Sequence, residues 1–134
     1  MRTLGIDYGS VRVGLALSDE IGMLAMPLET VENARAFERI LEVVAEKQVE
    51  SIVVGMPRNM DGSYGPKAEE VRKFAERLKA TVAIEIHFWD ERLTTKSVER
   101  MLIEADVSRK RRKEVIDKLA AQQILQGYLD AQAA

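Results

Sequence analysis

Four carboxylates stand where regular elements could carry them to one place. Asp7 ends the first apolar alternation of the chain, directly before Tyr8-Gly9. Asp90 and Glu91 end the last such alternation. Asp117 opens an i, i+4, i+7, i+11 series with Ala121, Ile124 and Tyr128, which sets it on the apolar stripe of the last helix. A carboxylate on a buried stripe costs free energy unless it is paired or binds a metal. Ala120 and Ala121 beside it leave little bulk, so that helix can approach a sheet closely. With no cysteine and a single histidine in the chain, converging donors would form a hard, all-oxygen site suited to Mg²⁺ or Mn²⁺. Two such ions about 4 Å apart, held by shared carboxylates, hydrolyse phosphodiesters: one activates the attacking water and both stabilise charge developing at phosphorus.

Each residue also has an ordinary use. Asp7 could accept backbone N–H groups in a turn. Asp90 or Glu91 could cap a helix or pair with Arg92. Asp117 could pair with Lys113 one turn earlier. Convergence separates the chemical reading from these uses. Ligand sites of α/β sheets lie beyond the carboxyl ends of strands, where Asp7 and the Asp90-Glu91 pair are expected.

A second set of residues could hold a polyanion. Arg92, Lys96 and Arg100 are spaced by four and share one helix face. Arg109, Lys110, Arg111, Arg112 and Lys113 follow as a run. Between positions 92 and 118 nine basic residues face five acidic ones, a surplus of four that leaves the rest of the chain at −6 within a net charge of −2. A basic sector on an acidic body is the footprint expected of a nucleic-acid backbone contact, with a solvated helix surface as the plainer alternative. His87 reads as structural or exposed, and Trp89 as a packing residue.

The elements that would position these groups follow from periodicity. Residues 3–8 and 11–17 alternate as strands separated by Gly9-Ser10, which predicts a tight antiparallel hairpin. A third strand spans 24–31, with Pro27 marking an edge or a bulge. Phe37, Ile40, Leu41 and Val44 repeat at helical spacing, with Asn33 as the expected N-cap. Residues 51–55 form a short apolar run that reads as a buried parallel strand, and 58–65 as a loop. Pro66 opens a helix that buries Val71, Phe74, Ala75 and Leu78. Val82, Ile84, Ile86 and Phe88 alternate in a further strand. Two helices close the chain, one from Thr94 or Thr95 and one capped by Ser108 and running to about Ala131. The order β-β-β-α-β-α-β-α-α predicts an α/β fold: a mixed five-stranded sheet, its first three strands antiparallel and the later ones parallel, flanked by helices.

The chain has 134 residues, 46% hydrophobic and 31% charged, which fits one domain over 1–134 and excludes fibrous and disordered classes. The absence of cysteine excludes a disulfide framework and a thiolate zinc site. No apolar run approaches the ~20 residues of a membrane span, and the N-terminus reaches Asp7 without a signal-peptide core. A cytoplasmic protein that does not engage membranes is expected, as a monomer or a homodimer.

Taken together, Asp7-Tyr8-Gly9-Ser10-Val11-Arg12-Val13-Gly14, Val54-Gly55-Met56-Pro57, the Asn59-Met60-Asp61-Gly62 loop, Asp90-Glu91-Arg92-Leu93-Thr94-Thr95 and the ending from Asp117 to Leu129 resemble the YqgF/RuvX family. The resemblance spans nearly the whole chain. Met56 stands where the family has Leu, a volume-conserving change. The resemblance implies an RNase H-like fold and a bacterial nuclease that matures the 5′ end of 16S ribosomal RNA, or resolves Holliday junctions. Carried over by position, it implies Asp7, Glu91 in preference to Asp90, and Asp117 as the metal-binding catalytic acids. Two other classes are open at this level. The Asp-x-Gly hairpin also begins the ATP-binding domains of actin-like and sugar-kinase folds, which need a second domain. A non-catalytic module could use the same basic sector to bind RNA or a partner, and would tolerate Asp7→Asn.

Overall fold

The structure, a computed structural model, describes residues 1–91 and 109–133, of which 109–114 are described by their backbone alone. Five strands and three helices follow in the order β1 (Arg2–Tyr8), β2 (Arg12–Ser18), β3 (Ala25–Glu32), α1 (Asn33–Glu46), β4 (Val49–Met56), α2 (Pro66–Thr81), β5 (Glu85–Asp90) and α3 (Arg109–Ala133). The strands form one sheet in the order β3-β2-β1-β4-β5. β2 pairs antiparallel with β1 and β3, and β4 pairs parallel with β1 and β5. The expected mixed sheet is therefore present. The chain's hairpins supply its antiparallel half, and the crossovers through α1 and α2 supply its parallel half.

Alternation sorts the side chains of β1 and β2 onto two faces. Leu4, Ile6, Val13 and Leu15 pack with Ile40 and Val43 of α1 and with Val71, Phe74 and Leu78 of α2. The opposite face receives α3, whose Ala121, Ile124, Leu125 and Leu129 pack on Ala16, Ala25 and Val53. Burying each such Ile or Leu is worth roughly 1.5–3 kcal/mol. β4 is covered from both sides and is buried along almost its whole length, as its continuous apolar run requires.

Pro27 lies on the edge strand, opposite Ala16 at a register shift in the β2–β3 pair, so both expectations for it hold. Three local expectations are corrected. Asn33 is not the cap of α1: Glu32 occupies that position without a side-chain cap bond. The Asn33 amide is spent instead on the β1–β2 turn, its Nδ2 donating to the Gly9 carbonyl at 2.7 Å while its backbone N–H donates to Val11 at 2.9 Å. β5 starts at Glu85 rather than at position 82, because α2 runs to Thr81 and the Val82 N–H closes its end by donating to the Leu78 carbonyl. Phe88, which alternation places on one face with the partly buried Ile84 and Ile86, is exposed at the end of β5, an edge strand of the described sheet. The helix expected from Thr94 or Thr95 and the Ser108 cap lie outside the described residues. Among the described residues no helix is long and apolar enough to cross a membrane.

Candidate active site at the carboxyl edge of the sheet

Asp7 sits near the end of β1, directly opposite Gly14 of β2. The face that carries it also carries Gly5, against which α3 lies. Gly14 makes that approach possible further along: a β-carbon built there would stand 2.0 Å from the Asp117 carbonyl oxygen. The backbone of Asp117 thus rests on the residue paired with Asp7. Glu91 arrives from the other side. Its backbone N–H donates to the Met56 carbonyl at 3.3 Å, which continues the β4–β5 pairing one residue beyond β5. Its carboxyl then lies over Gly55, where a β-carbon would come within 2.4 Å of Oε2 and 2.5 Å of Ile124 Cδ1. Glycine at positions 14 and 55 admits the helix and the carboxyl that any larger residue would displace.

Asp7 and Glu91 share a hydrogen bond, and both are raised. Burial is the main cause for Asp7, which rises to about 6; the Asp117 charge pushes the same way, while the bond from Glu91 and the nearby Lys67 charge oppose it. Glu91 rises to about 8, first through burial, then through the Asp7 charge and its bond to Asp7. Two like charges in a low-dielectric pocket resist joint ionisation, so near neutral pH the pair holds one proton and Glu91 donates it to Asp7.

Asp90, one residue before, has a different setting. Its Oδ2 lies 3.6 Å from Arg58 Nη1, and the Arg58 guanidinium also donates to the Gly62 carbonyl. Asp90 therefore helps hold the 58–65 loop, while Glu91 meets Asp7. Asp117 is paired with Arg12, Nε to Oδ2 at 2.8 Å, and the Lys113 side chain, the partner the sequence offered, lies outside the described residues. The Asp117 side chain is one-fifth exposed, and the stripe it begins continues as expected through buried Ala121 and Ile124. Among the described residues no three acidic or histidine side chains gather tightly enough to hold an ion unaided. The donor chemistry nevertheless fits a divalent cation, because two carboxyls confined together with one proton form an oxygen pair that a 2+ charge would neutralise.

Arg92, Lys96 and Arg100 lie outside the described residues; Arg109, Lys110, Arg111, Arg112 and Lys113 form the start of α3 by their backbone, their side chains undescribed. His87 is structural: it stacks on Tyr128 with ring centroids 5.4 Å apart and its Nε2 lies 3.2 Å from Glu85 Oε2. Trp89 packs edge-on against the same tyrosine at 6.4 Å. Sequence reasoning missed Arg12, Lys67 and the role of the two glycines. Arg12 shares a strand face with Gly14, and Lys67 follows the proline that starts α2, so position alone was a signal for both.

The chain as a whole resembles known proteins. The family model described as RuvX, Holliday junction resolvase, matches residues 1–131. A relative from Halalkalibacterium halodurans bearing the name "Putative pre-16S rRNA nuclease" is 55% identical, covering 98% of this chain and 98% of its own. One of the same name from Listeria monocytogenes is 53% identical, covering 97% and 98%. Among solved structures, T. thermophilus RuvC in complex with a Holliday junction substrate superposes with a TM-score of 0.62 at 18% identity, over 99% of this chain and 96% of that one. The fowlpox virus resolvase bound to Holliday junction DNA gives 0.65 at 10% identity, over 100% of both chains. At these identities the structural likeness is one of fold, the RuvC-type, RNase H-like sheet.

Proposed function

This chain belongs to the RuvX family, and from that premise we propose that it is a nuclease that hydrolyses phosphodiester bonds in precursor 16S ribosomal RNA, at the carboxyl edge of the sheet. The observation that carries the reading is the Asp7–Glu91 pair: two carboxyls forced together by β1, β4 and β5, with Asp117 beside them on α3. Such a cluster is a poor stabilising device and a good receptor for positive charge. Asp7, Glu91 and Asp117 would hold Mg²⁺ or Mn²⁺, while Asp90, held at Arg58, adds only its negative charge from the adjacent position. A divalent cation bound there supplies water activation and neutralises charge at the phosphate. Lys67, at the start of α2, adds a fixed positive charge beside the pair. Arg92, Lys96, Arg100 and the run Arg109 to Lys113 would grip the nucleic-acid backbone, and the cytoplasm would be the compartment of action.

Branched DNA is the second reading, favoured by the family's description and by the junction complexes among the solved relatives. One experiment separates them. Purified protein is incubated with labelled precursor 16S RNA and with a four-way DNA junction, in Mg²⁺, in Mn²⁺ and in chelator, beside Asp7→Asn. Metal-dependent cleavage of the RNA, lost in Asp7→Asn, is the expected result. Cleavage of the junction alone would assign the enzyme to DNA. Folded protein that binds RNA equally with and without Asp7 and cuts neither substrate would make the chain a binding module.

A further inference from the structure

The β1–β2 hairpin carries a group that the sequence reading left without a role. Arg12 and Gly14 lie on one face of β2, two residues apart. Gly14 takes the Asp117 backbone, and Arg12 takes its carboxylate, Nε to Oδ2 at 2.8 Å. The two residues therefore fix Asp117 at both ends. The turn that leads into Arg12 is itself fixed, by the Asn33 amide on Gly9 and by the close packing of Gly9 on the Arg12 carbonyl, where a β-carbon would come within 2.4 Å.

We propose that Arg12 is the positioning residue for the third carboxylate of the cation site, holding Asp117 against the repulsion of Asp7 so that its second oxygen remains for the ion. The inference rests on the nuclease reading of the same edge. Asp117 lies close enough to Asp7 for its charge to raise the Asp7 carboxyl, and like charges in a partly buried site separate. Asp117 is one-fifth exposed and could swing to solvent. A charge-assisted bond from a planar guanidinium, donated to one carboxylate oxygen, resists that swing and fixes the rotamer. Ligand carboxylates in metal sites are commonly held this way, and losing the partner typically weakens metal binding about 10–100-fold. Arg12 is itself 44% exposed, so its contribution to global stability is small while its effect on the direction of Asp117 is local.

The test measures Mn²⁺ binding to the full chain by electron paramagnetic resonance, with steady-state cleavage kinetics alongside. Wild type, Asp7→Asn, Arg12→Ala and Arg12→Lys are compared after circular dichroism shows the same fold. Arg12→Ala is expected to weaken Mn²⁺ binding about 10–100-fold and to lower kcat more than it raises KM, with partial recovery in Arg12→Lys, which keeps the charge but not the fork. Unchanged Mn²⁺ affinity with a raised KM would make Arg12 a substrate-phosphate contact and overturn the proposal. Tighter Mn²⁺ binding in Arg12→Ala would also overturn it, by showing that Arg12 competes with the ion. Wild type that binds no Mn²⁺ would remove the cation site itself, and Arg12's role with it. That outcome differs from a wild type whose affinity depends on Asp7 and not on Arg12.

Discussion

Thr3 and Asp7 lie on the same face of the same strand, four residues apart, and the two ends of β1 treat buried polar groups in opposite ways. At the amino end Thr3, Ser18 and Ser51 are each 3% exposed and neutral. The Thr3 N–H donates to Ser18 Oγ at 2.8 Å, Ser18 Oγ donates to the Asp19 carbonyl at 3.0 Å, and the Thr3 and Ser51 hydroxyls share a bond at 2.8 Å. Every hydroxyl in that group has a partner, so burial costs little. At the carboxyl end Asp7 meets Glu91, and the pair must keep a proton or find a cation. One end is finished by folding. The other is left unfinished, as a ligand site must be.

The sharpest way to break this contrast is to remove a carboxyl. Asp7→Asn should cut cleavage at least about 100-fold with no loss of fold, while Ser51→Ala should leave cleavage unchanged; the assay is cleavage of precursor 16S RNA under single-turnover conditions. Equal losses in the two variants would erase the distinction between the ends. Gly14→Val comes next. Its side chain would meet the Asp117 backbone, so α3 must lift, at about 3 kcal/mol or more by urea unfolding. An unchanged urea midpoint would show that α3 does not rest on β2.

Glu91→Gln sharpens the comparison through pH. The folded chain keeps the Glu91 proton up to about pH 8, whereas the unfolded chain loses it near the ordinary glutamate value of 4.5. Between those limits the folded state binds more protons, so wild-type stability falls as pH rises. Glutamine keeps a donor toward Asp7 without a titrating charge. In chelator, the variant's melting temperature should exceed wild type's by about 4 °C or more at pH 8, with the gain shrinking toward pH 4.5. A gain of the same size at both pH values would contradict the shared proton. The smallest effect belongs to the amino end: Ser51→Ala should cost ~1 kcal/mol, the same at pH 5 and pH 8, by urea unfolding.

Much of this was readable from local pattern. Period two located β1, β2 and β5, a continuous apolar run located β4, Pro27 marked the bulged edge, and the 3.6-residue stripe set Asp117 facing the sheet. What failed to show was long-range. Asn33 has the composition of a cap, and only the folded hairpin presents the Gly9 carbonyl that takes its amide. Arg12 and Asp117 are 105 residues apart, and no periodicity links them. Gly14 and Gly55 read as ordinary strand glycines until α3 and Glu91 are laid over them. Phe88 obeyed the alternation of a buried strand, but alternation carries no information on whether a strand is central or at an edge. Asp90 and Glu91 are adjacent, and their separation into a loop contact and a site carboxyl depends on Arg58 reaching one of them.

On the proposed reading, the carboxyl edge receives a divalent cation through Asp7 and Glu91. The most direct measurement is the melting temperature of wild type and Asp7→Asn at pH 8, each with and without Mg²⁺ or Mn²⁺. An ion that binds the folded form alone must stabilise it by mass action. Wild type should show a metal-dependent rise that is lost in Asp7→Asn. No rise in wild type, or the same rise in both proteins, would contradict it.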